Sequence, residues 1–225
     1  MGTILASSII EKAGIALNDI AAVRWTAAEL LGYLNEGQRA ILTYKSNAYV
    51  VTRSVQLVAG TRQALPPDGV QLFDVVRNMG AGGAVPGRAI RITKREMLDA
   101  QVPNWHSSTP SSVVRHYTYE EASPRIFYVY PPQPSVTPGY VEMVFGAMPP
   151  TVSATDPIAV DDIFEMPLLD FVLYRAWMKD SEFGADSSRS SAHLQAFINA
   201  LTGKAKNESG ASPNNTAPAT QPTPR

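Results

Sequence analysis

Thr26-Ala27-Ala28-Glu29-Leu30-Leu31-Gly32-Tyr33-Leu34 and, further on, Val50-Val51-Thr52-Arg53-Ser54-Val55-Gln56-Leu57-Val58 decide how this chain folds. The first stretch opens a helix. Thr26 and Glu29 have the spacing of a capping box, and Trp25 and Leu30 that of a hydrophobic staple. Leu30, Leu31, Leu34, Ile41 and Leu42 then recur at helical spacing, which predicts a helix over about 26–45. Asn35, Glu36, Gln38 and Arg39 are assigned to its polar side. In the second stretch β-branched residues dominate and the period changes, so it reads as a strand.

Working outward, Ile4-Leu5, Ile9-Ile10 and Ala13 suit a first helix that ends near Gly14 and Asn18-Asp19. Downstream, Ala59-Gly60-Thr61-Arg62 reads as a turn, Gln63-Ala64-Leu65 as a short strand and Val70–Met79 as a longer one. Gly80, Gly82, Gly83 and Gly87 mark a flexible loop tip, and Arg88–Ile92 a short strand. Thr93-Lys94-Arg95-Glu96 is a second capping-box pattern, opening a short helix to about Ala100. Pro103-Asn104-Trp105 breaks the pattern, and strands are expected over 112–120, 125–130 and 139–145, as an antiparallel meander or small sandwich.

Helix returns near Asp161, with Pro167 in its first turn. From Leu168 to Met178 it is apolar nearly all round, the pattern of a helix that is buried or shared with a subunit interface. Trp25, Tyr174, Trp177 and Met178 are the candidate interface residues of this bundle. A last helix, about 187–201, carries Leu194, Phe197, Ile198 and Leu201, and Gly203 closes it. Residues 205–225 hold no aromatic, Leu, Ile, Val or Met and are punctuated by Pro213, Pro218, Pro222 and Pro224 before Arg225. Alone, such a tail cannot offset its ordering entropy, which points to a segment that orders on a partner. The expectation is an α+β chain: residues 1–46 and 153–204 give a bundle of about four helices, 47–152 an inserted antiparallel β-domain, and 205–225 an extended tail.

Chemistry is hard to find. The 225 residues include no cysteine, which removes disulfides, thiol catalysis and cysteine-held metals. His106, His116 and His193 do not cluster, and no H-x-x-x-H, H-E-x-x-H or G-x-S-x-G pattern occurs. Gly82 to Gly87 has the glycine spacing of a P-loop, but Arg88-Ala89 stands where Lys and Ser/Thr are needed, so the run reads as a hairpin tip. Glu120-Glu121 and Asp161-Asp162 are adjacent and suit solvated or capping roles. Tyr117, Tyr119, Phe127, Tyr128, Tyr130, Tyr140 and Phe145 could form a sugar or single-strand platform, but sheet core plus interface is the plainer reading. Few Lys or Arg interleave with them, which argues against nucleic acid. No catalytic, cofactor or metal residues are assigned, and no enzyme activity is expected. No stretch is long and apolar enough to suggest a membrane span, and no targeting signal is visible, so a soluble protein made in a cytosol is expected.

Charged residues are 17% of the chain against a usual figure of about 25%. A subunit that buries surface against neighbours needs fewer of them. Eight acids and two bases fall in 156–186, and seven bases and two acids in 53–95, so copies could stack by charge. Two independently solvated faces are the other reading.

Val23-Arg24-Trp25-Thr26 through Gln38, Ala59-Gly60-Thr61-Arg62-Gln63-Ala64-Leu65-Pro66, Tyr128-Val129-Tyr130-Pro131-Pro132 and Leu173-Tyr174-Arg175-Ala176-Trp177 occur in this order. The chain resembles bacteriophage head-to-tail adaptor (connector) proteins in these landmarks, over about residues 1–203 with the tail outside. The resemblance implies a homo-oligomeric ring, usually of twelve copies, beneath the portal and above the tail nozzle or tube. DNA passes through its lumen without specific binding. It implies a virion protein of the neck, made in the host cytoplasm, with tail fibres as a further candidate partner. Pro213, Pro218, Pro222, Pro224 and Arg225 would then be the latch into the portal. A tail-completion or tube protein, or a carbohydrate-binding tail component, is the alternative.

Overall fold

The computed structural model describes residues 2–179 and 184–211, and the chain divides into two units. One comprises 1–45 with 150–225, the other 46–149. The second is inserted into the first.

Among the described residues the first unit is built on four helices, α1 (Ala6–Ala16), α2 (Ala27–Tyr44), α4 (Glu165–Met178) and α5 (Gly184–Ala211). No side chain caps α1; the Ala6 and Ser7 N–H groups donate to the Asp156 and Ala154 carbonyls, each at 3.0 Å. A neighbouring loop thus does the work of a cap. Thr26 caps α2, its hydroxyl accepting from the Glu29 N–H at 3.3 Å. The Glu29 carboxylate reaches Tyr33 Oη at 2.8 Å and Lys179 Nζ at 2.9 Å. Leu30, Leu34, Ile41 and Leu42 are buried as their spacing predicts.

Asn35 and Gln38 are buried too, which corrects their assignment to a polar face. Gln38 lies four residues from both Leu34 and Leu42, on the same stripe. Its Oε1 accepts from the Ala159 N–H at 2.7 Å, and its NH2 donates to Asn35 Oδ1 at 3.2 Å. Asn35 pairs with both the N–H and the C=O of Val152. A primary amide carries the donor and acceptor of a peptide, so two side chains of α2 serve as a partner strand for 152–159. Gly37 makes room for α4: a Cβ there would lie 2.9 Å from the Phe171 ring. Gly203 lies inside α5, which continues to Ala211, seven residues into the span 205–225. Gly203 does not take the left-handed φ of a C-cap glycine, and the helix runs on through it.

The second unit holds two four-stranded sheets. β1 (Val50–Gln56), β8 (Tyr140–Ala147), β3 (Gly69–Met79) and β4 (Pro86–Ala89) form one, in that order. β2 (Gly60–Ala64), β7 (Ile126–Gln133), β6 (His116–Tyr119) and β5 (Arg91–Ile92) form the other. Leu72, Val75, Val141, Met143 and Phe145 of the first pack with Tyr117, Phe127 and Val129 of the second in one core. This is a sandwich and not a meander, because β8 leaves β7 for the other sheet.

Arg88–Ile92 is not one strand. The chain crosses between sheets at Ile90, and β5 then runs parallel to β6, an exception to the antiparallel pattern. The second capping box does not form. Thr93 still bonds the Tyr117 carbonyl at 2.9 Å, so α3 (Arg95–Gln101) starts with Lys94 at its N-cap and no side-chain cap. Trp105 is fully buried, and its Nε1 donates to Asp99 at 2.8 Å.

Candidate assembly surfaces

Of the four bundle residues singled out by sequence, two meet. The Trp25 and Trp177 rings stand edge to face, 5.7 Å between centroids. Trp25 is buried and donates from Nε1 to the Ala176 carbonyl at 3.1 Å, so it holds α2 to α4 inside the unit. Arg189 lies over the Trp177 ring at 4.9 Å. Tyr174 is half-buried against Phe171, and Met178 is exposed.

A corner between α1 and α2 was not singled out and is more unusual. Asp19 accepts from three consecutive backbone N–H groups, Val23, Arg24 and Trp25, at 2.8–3.0 Å. Asn18 and Ala22 are left-handed, at φ 54° and 53°. The Trp25 N–H foremost, with those of Val23 and Arg24, holds the Asp19 carboxyl below its ordinary 3.8. A left-handed alanine is costly, and one carboxylate keeps it in place. The corner carries Ile15, Ile20 and Val23, 64%, 80% and 82% exposed, beside an apolar hollow of about 410 Å³ reaching Trp25 and Leu30. The signal in sequence was Asn18-Asp19 followed by apolar residues where a turn should be polar.

In the inserted unit, Gly80, Gly82 and Gly83 sit in the β3–β4 turn, with Gly82 and Gly83 left-handed, while Gly87 lies within β4. A Cβ on Gly83 would meet Ser54 at 2.6 Å and Tyr140 at 2.8 Å, so close approach as well as φ calls for glycine. Beside the turn is a largely apolar hollow of about 650 Å³, lined by Met79, Val113, Val136, Pro138 and Tyr140 among others.

The aromatic residues do not form one platform. Tyr117, Phe127 and Phe145 are in the core, with Tyr119 packed against it. Tyr128 and Tyr130 alternate with core residues Phe127 and Val129 and so face outward. There the register brings in cations that sequence proximity did not suggest. Arg62 pairs across to Tyr128, which pairs with Thr118; Tyr130 pairs with His116, which pairs with Arg91. The His106 ring stacks on Trp105 at 3.6 Å, stands edge-on to Tyr128 at 6.0 Å, and bonds Thr61 Oγ1 from Nδ1 at 2.8 Å. Inside, the Tyr117 hydroxyl donates to Asp74 at 2.8 Å; burial first, and then that carboxylate, push its pKa up.

The carboxylate pairs are spread over capping and ion pairing. Asp161 accepts from the Ile163 N–H at 3.1 Å, Asp162 from the Thr3 N–H and hydroxyl and the Ile4 N–H, and Glu120 meets Arg95 at 3.4 Å. The Thr3 hydroxyl leads in lowering the Asp162 pKa, and the Ser153 N–H does the same for Asp156. His193 pairs with Asp170 at 2.9 Å. Among the described residues there is no group of three or more His, Cys, Asp or Glu that could hold a metal ion, and no helix long and apolar enough to cross a membrane. Pro213, Pro218, Pro222, Pro224 and Arg225 lie outside the described residues.

Residues 5–221 match the model of a family described as SU10 adaptor protein. The match runs past residue 203, so most of the tail belongs to the shared length and not outside it. No curated protein matches the chain.

Proposed function

The chain belongs to the SU10 adaptor protein family, and from that premise we propose that it is the head-to-tail adaptor of a bacteriophage particle. It is a structural protein of the phage. Copies close into a twelvefold ring between the portal and the tail nozzle or tube, and DNA passes through the lumen without specific binding. The protein is made in the host cytoplasm and resides in the neck of the virion. Its C-terminal residues latch onto the portal, and tail fibres attach in the same region of the particle.

The family match over 5–221 carries this proposal. The exposed surfaces agree with it. A closed ring uses two unlike faces on each subunit, and the chain offers an edge with exposed aspartates and aliphatic side chains in one unit and an aromatic, basic sheet face in the other. Low charge suits a conduit that must not grip phosphate. A proline-rich segment loses little entropy when fixed in a groove.

Electron microscopy of the particle tests it: rings of this chain between portal and tail, with symmetry assigned, are the expected result. A chain lacking residues 212–225 should fold normally and bind portal at least about tenfold more weakly. Unchanged docking would remove the latch, and a location in the tube would replace the adaptor with a tail-completion protein.

A further inference from the structure

The outer face of the second sheet carries exposed arginines and aromatic rings together. Arg62 and Arg91 are exposed and stand at its two edges, on β2 and β5, about 16 Å apart across three strand spacings and a two-residue step along the strands. Between them Tyr128, Tyr130 and His116 are half-buried, with Trp105 and His106 packed edge-on against Tyr128. Arginine guanidinium groups beside aromatic rings suit a partner that carries carboxylates among aliphatic side chains.

The chain itself supplies such a surface. At one edge of the helical unit residues 3–6 run beside 156–162: Leu5 bridges Pro157, the Ile158 N–H donates to the Ile4 carbonyl, and Asp162 takes the Thr3 N–H. Asp156 and Asp161 are exposed there. Leu5, Ile163 and Met166 are 47%, 56% and 62% exposed. Asp156 accepts from the Ser153 N–H and Asp161 from the Ile163 N–H, so the backbone fixes where each carboxylate stands. By sequence the helical unit is net acidic and the inserted unit net basic.

We propose that the Arg62–Tyr128–His116–Arg91 face of one copy docks against the Leu5–Asp156–Asp161–Met166 edge of a second copy. The contact is heterologous, with different surfaces on the two copies, and so propagates from subunit to subunit. It rests on the adaptor reading, for which it names the contact between neighbours. Arginine–carboxylate pairs set the register, and aliphatic side chains against tyrosine rings supply the apolar area.

The absence of cysteine makes the test clean. Arg62→Cys and Asp161→Cys chains are mixed at high concentration and treated with a short bismaleimide. Covalent dimers are expected from the mixture, and not from either variant alone or from Thr52→Cys, on the other sheet, mixed with Asp161→Cys. Equal yields from all combinations, or none from the first, overturn the proposal. Independently, R62E/R91E should weaken self-association in sedimentation about tenfold, and D156R/D161R in the second copy should restore it. Reversal without rescue overturns the pairing. A duplex-DNA mobility shift abolished by R62E/R91E, with self-association unchanged, gives the face to nucleic acid instead. Circular dichroism confirms that each variant is folded. Normal rings in particles carrying R62E/R91E would overturn this interface and leave the adaptor function standing.

Discussion

The two units solve one problem, holding irregular chain without regular pairing, in opposite places. In the helical unit the amides sit on a helix: Asn35 and Gln38 reach out of α2 to bind 152–159. In the inserted unit they sit in or beside strands. Asn78 of β3 binds both the N–H and the C=O of Val114 and the Arg88 carbonyl, at 2.7–2.9 Å. Gln133 of β7 bonds the Ser111 carbonyl and the Gly139 N–H, each at 2.9 Å, and Gln63 closes the turn from Val58 to Gly60. All five side chains are buried. The difference is in what surrounds them. A helix satisfies its own backbone and can lend side chains outward, whereas a sandwich uses amides where its ladders stop.

That contrast can be broken by single substitutions, read by tryptophan fluorescence. Trp25 and Trp177 report on the helical unit and Trp105 on the inserted one. Gln38→Ala should have the largest effect, about 3–4 kcal/mol, because it leaves the Ala159 N–H unpaired and opens a cavity at a fully buried position. Asn78→Ala should cost the inserted unit about 2–3 kcal/mol, since Val114 keeps no partner for either group. If Asn78→Ala moves the Trp25 and Trp177 signals as much as Trp105, the two units do not melt separately and the comparison fails.

Helix ends sharpen it further. Thr26→Ala should destabilise the helical unit by about 1 kcal/mol, whereas Lys94→Asp, supplying the cap that α3 lacks, should stabilise the inserted unit by about 0.5 kcal/mol in thermal melts. The smallest effect is in pH. Asp19, Asp156 and Asp162 have lowered pKa values and all belong to the helical unit. Their stabilisation is complete above the ordinary carboxylate value and is lost as pH falls through the lowered ones. Acid should therefore perturb Trp25 before Trp105, and Asp19→Asn should flatten that dependence. The raised Tyr117 and Tyr119 lie in the inserted unit, with stability present below pH 10 and lost above it; Tyr33, raised to about 12, gives the helical unit a share of the alkaline limb.

Much of this fold was legible. The capping threonine, the leucine stripe of α2 and the proline in the first turn of α4 are local signals, and each lies where its spacing predicts. Thr93-Lys94-Arg95-Glu96 carried the same capping letters, but Thr93 was already committed to Tyr117 of another strand. Arg88–Ile92 carries no turn residue, so nothing local marks the crossing at Ile90. The tyrosine-arginine face could not be seen because its members come from four strands whose pairing is set by the core. For Asn35 and Gln38 the signal existed: both fall on the leucine stripe, and spacing should have outweighed polarity.

The insertion has a mechanical consequence. Its entering and leaving strands, β1 and β8, are hydrogen-bonded neighbours, with Val50 opposite Gly146 and the Ala147 N–H on the Tyr49 carbonyl at 2.9 Å. Tension drawn between the flanking segments reaches the sheet at two adjacent strand ends. It opens the ladder like a zipper, one rung at a time, instead of shearing all rungs together. The unit is thus held against heat by its whole core, yet against a pull by little more than its first rung.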